Sequence, residues 1–138
     1  MRKIAHKLLI SLLLLLSACS MSKDTSVAEA EVPHFHSSLD AGKFDEIYDA
    51  AADELKTAAT KQDFVILLSA IHRKLGQVAK SEKQTWHVDY NTAGNFVTLV
   101  YNTTFTNGTG AEQFVYKLHD GQASLVGYHI NSNALLIN

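Results

Sequence analysis

Hydrophobic residues recur with a helical period in two segments in the middle of the chain. The first stripe, with acidic side chains between its members, consists of Phe44, Ile47, Tyr48, Ala51 and Leu55. The second repeats that spacing at Phe64, Leu67, Leu68, Ile71 and Leu75. The pattern predicts two amphipathic helices. Thr60 can cap the start of the second helix, and Gly76 can end it.

Beyond position 85 the period changes to two residues, which is typical of strands with one buried face. Four alternating segments follow, at residues 86–90, 97–105, 114–118 and 125–130. Short turns separate them, and Asp120-Gly121 is a strong hairpin signal. Strands joined in this way predict an antiparallel meander. Two N-terminal amphipathic helices packed on such a sheet make an α+β domain, which we place at residues 39–138.

The start of the chain has the layout of a secretory signal peptide. Basic residues at positions 2, 3 and 7 precede a run at residues 8–16 that is apolar except for Ser11. Small residues, Ser17 and Ala18, come next. A helix of nine residues rises only about 14 Å, which is too short for a permanent membrane span. Residues 1–18 are therefore predicted to be a cleaved signal peptide.

The only cysteine of the chain follows directly. The motif Leu16-Ser17-Ala18-Cys19 resembles the lipobox of bacterial lipoproteins. The resemblance implies that acyl chains such as palmitate are attached at Cys19 and anchor the protein in a membrane. Ser20 replaces the aspartate that retains members of that class at the inner membrane, so we expect the outer membrane, facing the periplasm. The alternative is an ordinary signal peptide with an incidental thiol.

Residues 19–38 are polar and small, and they contain the only proline of the chain, Pro33. This composition predicts a flexible tether, which as a soft linker would span roughly 24 Å. His34 and His36 lie two residues apart in it and could supply half of a metal site. Because no third ligand lies near them in sequence, we predict no metal.

Composition restricts the choice of partners. After Cys19, nine basic residues face 14 acidic ones, a net charge of −5. This balance argues against nucleic acid, which is bound through lysine and arginine, and against a basic membrane-binding patch. One cysteine allows no internal disulfide. No nucleotide fingerprint or phosphate loop occurs, and no cofactor is predicted.

The order of helices and a long, curved antiparallel sheet resembles the cystatin-like cone of nuclear transport factor two and its relatives. Residues 96–105, 112–115 and 125–130 further resemble strands of an uncharacterised family of bacterial exported proteins. In that family a tyrosine-bearing strand, a glutamate-led strand and a closing Gly-Tyr strand recur. The resemblance covers about residues 39–137 and implies a fold but no established activity.

Enzymes of the cone fold need an acid or base and an oxyanion donor in an apolar cavity. No catalytic residue is assigned here, but several strand residues could form a binding surface. The candidates are Tyr90, Tyr101, Tyr116, Tyr128, His87, Asp89 and His129. The four tyrosines could make an aromatic platform for a partner, or brace the sheet as cross-strand pairs.

Two functions fit these observations. The leading hypothesis is a non-enzymatic, lipid-anchored envelope protein that binds another protein, including an inhibitor or immunity role against a toxin that acts on the envelope. The alternative is a small-ligand carrier, or a weak acid/base enzyme, that uses a pocket in the cone. The sequence leaves the partner and the oligomeric state open.

Overall fold

A computed structural model describes the backbone of residues 2–136 and the side chains of residues 21–136. The helices come first in the chain: α1 (Arg2–Asp40), α2 (Phe44–Ala50), α3 (Asp53–Ala58) and α4 (Lys61–Leu75). The strands follow as β1 (Val78–Asn91), β2 (Gly94–Phe105), β3 (Gly108–His119) and β4 (Gln122–Asn131), before a short 3₁₀ turn (Asn133–Leu135). The α+β order is confirmed. The side chains of the predicted signal peptide, residues 1–18, and of Cys19 lie outside those described.

The four strands form one antiparallel sheet in the order β1-β2-β3-β4, as the meander prediction requires. The hairpin between β3 and β4 turns at Asp120 and Gly121, whose φ angles of 49° and 73° are both positive. Two successive positive φ angles are what a two-residue hairpin turn of the favoured hand needs. The edge strands are β1 and β4, and β1 carries irregularities in its pairing after Val78 and after Lys83.

One face of the sheet is buried, and we call it the inner face. Its central positions are Val97, Leu99, Tyr101, Thr103, Phe105, Glu112, Phe114 and Tyr116, all of them buried. The alternate positions form the outward face, where every side chain is exposed or half-buried. This one-sided burial follows from the two-residue period of a strand, and it separates the sequence candidates into two groups.

The second predicted helix is confirmed as α4. Thr60 caps it, because its Oγ1 accepts the Asp63 backbone N–H at 3.2 Å. Gly76 ends the helix with a φ of 77°, and an added Cβ would lie 1.9 Å from Thr106 Oγ1. Most of the predicted stripe is buried, but Leu67 is 42% exposed and does not belong to the core.

The first predicted helix is interrupted. Residues 44–55 form α2 and α3 with a break at Ala51 and Ala52, whose ψ angles of 160° and 161° are extended. The backbone N–H of Ala52 donates to the Leu125 carbonyl at 2.9 Å, so the chain contacts the free edge of β4 there. A tertiary hydrogen bond thus overrides the high helix propensity of the alanines.

The predicted flexible tether is wrong for residues 21–38, because α1 continues through them to Asp40. Buried residues recur along this helix at Thr25, Ala28, Val32, Phe35, His36 and Leu39. Pro33 lies inside the helix, where it removes one backbone hydrogen bond. The apolar stripe compensates by packing against the sheet. The folded domain therefore begins well before residue 39.

Helix α1 contacts the centre of the inner face through Phe35. Its ring lies 5.1 Å from that of Phe114 in an edge-to-face arrangement and 4.7 Å from that of Tyr128. Aromatic pairs of this geometry contribute about 0.5–1.5 kcal/mol beyond the area they bury. The contacts join α1 to β3 and β4. Helix α4 contacts α2 instead, through rings of Phe64 and Tyr48 that lie 5.9 Å apart.

Candidate functional site

A fully buried carboxylate lies where α1 crosses the sheet. Glu112 is 0% exposed and belongs to β3. Its Oε2 atom lies 2.8 Å from His36 Nε2 and accepts the Thr103 hydroxyl at 2.5 Å. Its Oε1 atom accepts the Tyr128 hydroxyl at 2.7 Å. Because an ionised carboxylate can only accept, His36 donates from Nε2 in this arrangement.

The hydrogen bonds continue from Glu112 towards the surface. Ser81 Oγ lies 2.9 Å from Thr103 Oγ1, and since Thr103 gives its hydrogen to Glu112, Ser81 is the donor. Ser81 is only half-buried. Thr103 also lines an open cleft of about 680 Å³ at the end of the sheet, beside the turn between β2 and β3. The network therefore links α1 and all four strands, and one of its members borders this cleft.

Aromatic rings surround the carboxylate. The ring of His36 lies 5.8 Å from that of Phe114, which also contacts Tyr128 at 5.2 Å. Burial, and then the negative charge of Glu112, hold the pKa of Tyr128 well above its ordinary value of 10.0. Burial likewise raises the pKa of Tyr116. Both phenols therefore remain protonated over the physiological range.

The three donors on Glu112 leave this carboxylate well satisfied in a dry environment. Such a group fixes the positions of its neighbours, because each donor would lose its partner if an element moved. The sequence contains a signal for it: Glu112 has the same two-residue period as the buried Phe114 and Tyr116. His36 follows Val32 by one helical turn. The expectation of a tether at residues 19–38 conceals the signal at His36.

The predicted residues His87, Asp89 and His129 all lie exposed on the outward face. Strand register places His87 beside Thr98, Val115 and Gly127 in one row across the sheet. The next row consists of Thr85, Val100, Gln113 and His129. His87 and His129 are thus on adjacent rows near opposite edges. This face combines imidazoles with part-exposed valines.

The predicted aromatic platform is not formed. Tyr101 and Tyr116 are buried on the inner face, at 9% and 3% exposure, and Tyr128 is half-buried against Phe35. Only Tyr90 is substantially exposed, at 46%. These tyrosines brace the sheet from within, so they and the outward histidines cannot serve one common surface.

A second surface lies where the start of the described part of α1 meets β1. Trp86 is on the inner face of β1 opposite Leu99, yet it is 45% exposed. It lines an open cleft of about 530 Å³ together with Met21 and Thr25 of α1. Lys83 and Glu29 also line the cleft and form an ion pair. Beside the cleft, the Tyr90 hydroxyl donates to Asp24 Oδ2 at 3.0 Å.

Neither a metal site nor a membrane span is found in the part of the chain that the structure describes. Within it, no three histidine, cysteine or acidic side chains are arranged to hold a metal ion. The two histidines considered as a half-site are divided, because His34 is exposed whereas His36 is buried on Glu112. Among the same residues, no helix is long and apolar enough to cross a bilayer.

Comparison with known families gives one match. The profile of a family described as "Protein of unknown function (DUF4019)" matches residues 33–128, which is more than half of the chain. The match begins inside α1, in agreement with the packing of this helix in the domain. A comparison with curated proteins finds no relative.

Proposed function

The chain belongs to the DUF4019 family, and we propose that it is a lipid-anchored protein of the bacterial cell envelope that binds another protein. The binding surface in this proposal is the outward face of the sheet. An inhibitor or immunity protein directed at an envelope-acting toxin is one form of this function. We place the anchor at Cys19 and the protein on the periplasmic side of the outer membrane.

The one-sided burial of the sheet carries the proposal. Four strands present an uninterrupted row from His87 through Val115 to Gly127, and no side chain on this face is buried. The two central strands present part-exposed Val100 and Val115 between polar side chains, and protein-binding surfaces combine such apolar contacts with polar ones.

The alternative of a ligand pocket has weaker support. A pocket in the cone would lie on the inner face, where Phe114 contacts Phe35, Tyr101 and Tyr128. The acid and imidazole candidates Asp89 and His129 lie on the other face. A binding role therefore agrees better with the positions of these residues than catalysis does.

We also assign the domain to the cystatin-like cone class as part of this proposal. A long helix that lies against one face of a four-stranded antiparallel meander supports it. The resemblance rests on three features: the tyrosine in β2, Glu112 in β3 and the Gly-Tyr pair in β4. An experimental structure in which the four strands lie flat, without wrapping α1, would contradict this assignment.

Replacement of Cys19 tests the anchor. Cys19→Ser is expected to release the protein from the membrane fraction, because no sulfur remains to carry acyl chains and each chain contributes several kcal/mol of membrane affinity. Fractionation in high salt, with intact mass measurement of the wild type, measures this. Ser20→Ala, next to the cysteine, is the matched control and should remain bound. A Cys19→Ser protein that still sediments with membranes would contradict the anchor.

Site-specific crosslinking tests the outward face. A photoreactive phenylalanine at His87 or His129 is expected to form adducts in intact cells, whereas the same group at the exposed Gln62 of α4 should not. Val115→Arg, at the centre of the face, should lower the adduct yield about ten-fold, the effect of losing roughly 1.4 kcal/mol of binding energy. Equal yields at all three positions, or no change with Val115→Arg, would contradict binding by this face.

A further inference from the structure

We infer that the cleft between α1 and β1, lined by Met21, Thr25 and Trp86, is a surface that rests on the phospholipid bilayer. The inference deepens the proposed function, since it depends on acylation of Cys19. It assigns a second, separate surface: the outward sheet face stays free for a protein partner, and this cleft contacts lipid.

The first argument is the length of chain between the anchor and the folded domain. Residues 21–38 are not a tether, and α1 is already buried at Thr25, which is 7% exposed. Met21 also packs against the core and lies only two residues after Cys19. In a helix two residues rise about 3 Å. An anchored Cys19 therefore holds this end of the domain at the headgroups, which form a layer about 5–7 Å thick on each side of a bilayer.

The second argument is the chemistry of the cleft. Trp86 is a large apolar side chain left 45% exposed, and the cleft that it lines with Met21 is otherwise polar, with hydroxyl side chains and one ion pair. Tryptophan and tyrosine are the side chains enriched at the headgroup level, where one end is apolar and the other is hydrated. Tyr90 lies on the same face of β1, at 46% exposure, with its hydroxyl directed to Asp24.

The charged residues in the cleft and at its margin are compatible with a lipid surface. Glu29 is paired with Lys83, so this carboxylate does not face the membrane as an isolated negative charge. Asp24 accepts the Tyr90 hydroxyl. The exposed Lys23 lies on the same end of α1 and can reach lipid phosphates. Because this basic contribution is small, the acyl anchor supplies the affinity and the cleft sets the orientation.

Trp86 allows a direct test, since it is the only tryptophan in the chain. The acylated full-length product is reconstituted into vesicles of phosphatidylethanolamine and phosphatidylglycerol, with or without bromine atoms near the top of the acyl chains. We expect the Trp86 emission to be about two-fold weaker in vesicles with brominated lipid than in vesicles without it. Binding to either kind of vesicle should also shift the emission maximum to shorter wavelength, as for an indole at the headgroup level. The same measurement on the Cys19→Ser protein should show neither change.

A matched variant moves the probe to the other face. Trp86→Phe combined with Phe96→Trp places the indole among outward-face residues in the same sheet, opposite Asp89 of β1. Its emission should be insensitive to brominated lipid although the protein is equally bound. This comparison separates contact by the cleft from general proximity to the vesicle.

The remaining outcomes contradict the inference in distinguishable ways. An acylated, vesicle-bound protein with unquenched Trp86 overturns the bilayer contact and leaves the proposed anchor intact. The emission maximum could already be shifted in detergent, with the protein crosslinked to a second copy through this cleft. In that case the second copy, and not the bilayer, occupies the cleft. A product without acyl chains that does not bind vesicles overturns both the anchor and the inference.

Discussion

Glu112→Ala is expected to lower the free energy of unfolding by about 3–5 kcal/mol, the largest effect of any single substitution considered in this protein. The change leaves three donors, from the buried His36 and Thr103 and the half-buried Tyr128, without their acceptor. A buried donor without a partner costs about 1–3 kcal/mol. The removed side chain is 0% exposed, so a cavity is added to this cost.

Urea unfolding followed by circular dichroism measures the effect, and two variants on the same strand act as controls. Glu112→Gln keeps the shape and one acceptor oxygen, so we expect a loss of only about 1–2 kcal/mol. Gln113→Ala changes the adjacent, outward and exposed position and should stay within about 0.5 kcal/mol of the wild type. If Glu112→Ala is as stable as Gln113→Ala, the carboxylate does not hold α1 on the sheet.

The protein is expected to lose roughly 4 kcal/mol of stability between about pH 10 and pH 11.5 through Tyr116 and Tyr128. Burial raises the pKa of both phenols above the ordinary value of 10.0 that they regain on unfolding. A raised pKa means that the folded state keeps its protons when the unfolded state releases them. The stability that these two phenols contribute is thus fully present below pH 10. It falls as the pH rises towards the folded-state pKa, by about 1.4 kcal/mol per pH unit for each tyrosine.

Unfolding in urea at several pH values between about 8 and 11.5 measures this slope, while absorbance at 295 nm reports phenolate formation. Tyr128→Phe should remove about half of the tyrosine-dependent slope of stability against pH. It should also lower the stability at every pH by about 1 kcal/mol, because the hydrogen bond to Glu112 is lost. Tyr90→Phe is the comparison at an exposed position and should change the slope much less. A slope that is unchanged by both Tyr128→Phe and Tyr116→Phe would mean that other groups cause the alkaline loss.

Local sequence patterns predicted several features well from residue 60 onward. The alternation along β2 and β3, the Asp120-Gly121 turn and the Thr60 cap depend on neighbours close in sequence, and each is found where it was predicted. The break of the first predicted helix depends instead on a residue that is distant in sequence. It depends on a hydrogen bond from Ala52 to Leu125, and the spacing of apolar residues within a helix contains no information about that partner.

The candidate site was predicted only in part, for two physical reasons. Composition and Pro33 favoured a linker over residues 19–38, although Ala28, Val32, Phe35 and Leu39 already have helical spacing. Without α1, the sequence offers no partner for Glu112. The alternation places the tyrosines in strands, as observed, but a surface made of tyrosines and histidines together does not follow from that alternation. The two-residue period puts Tyr101 and His129 on opposite sides of the sheet.

The outer edge of β1 affects whether copies of the protein can join through their sheets. β1 is long, at 14 residues, and only one of its sides is paired. Lys80, Glu82 and Lys83 lie along it, and the two irregularities after Val78 and Lys83 distort its regular spacing. Charged side chains and bulges at an edge discourage the addition of a foreign strand. This edge is therefore poorly suited to join a second copy of the protein edge to edge into fibrils.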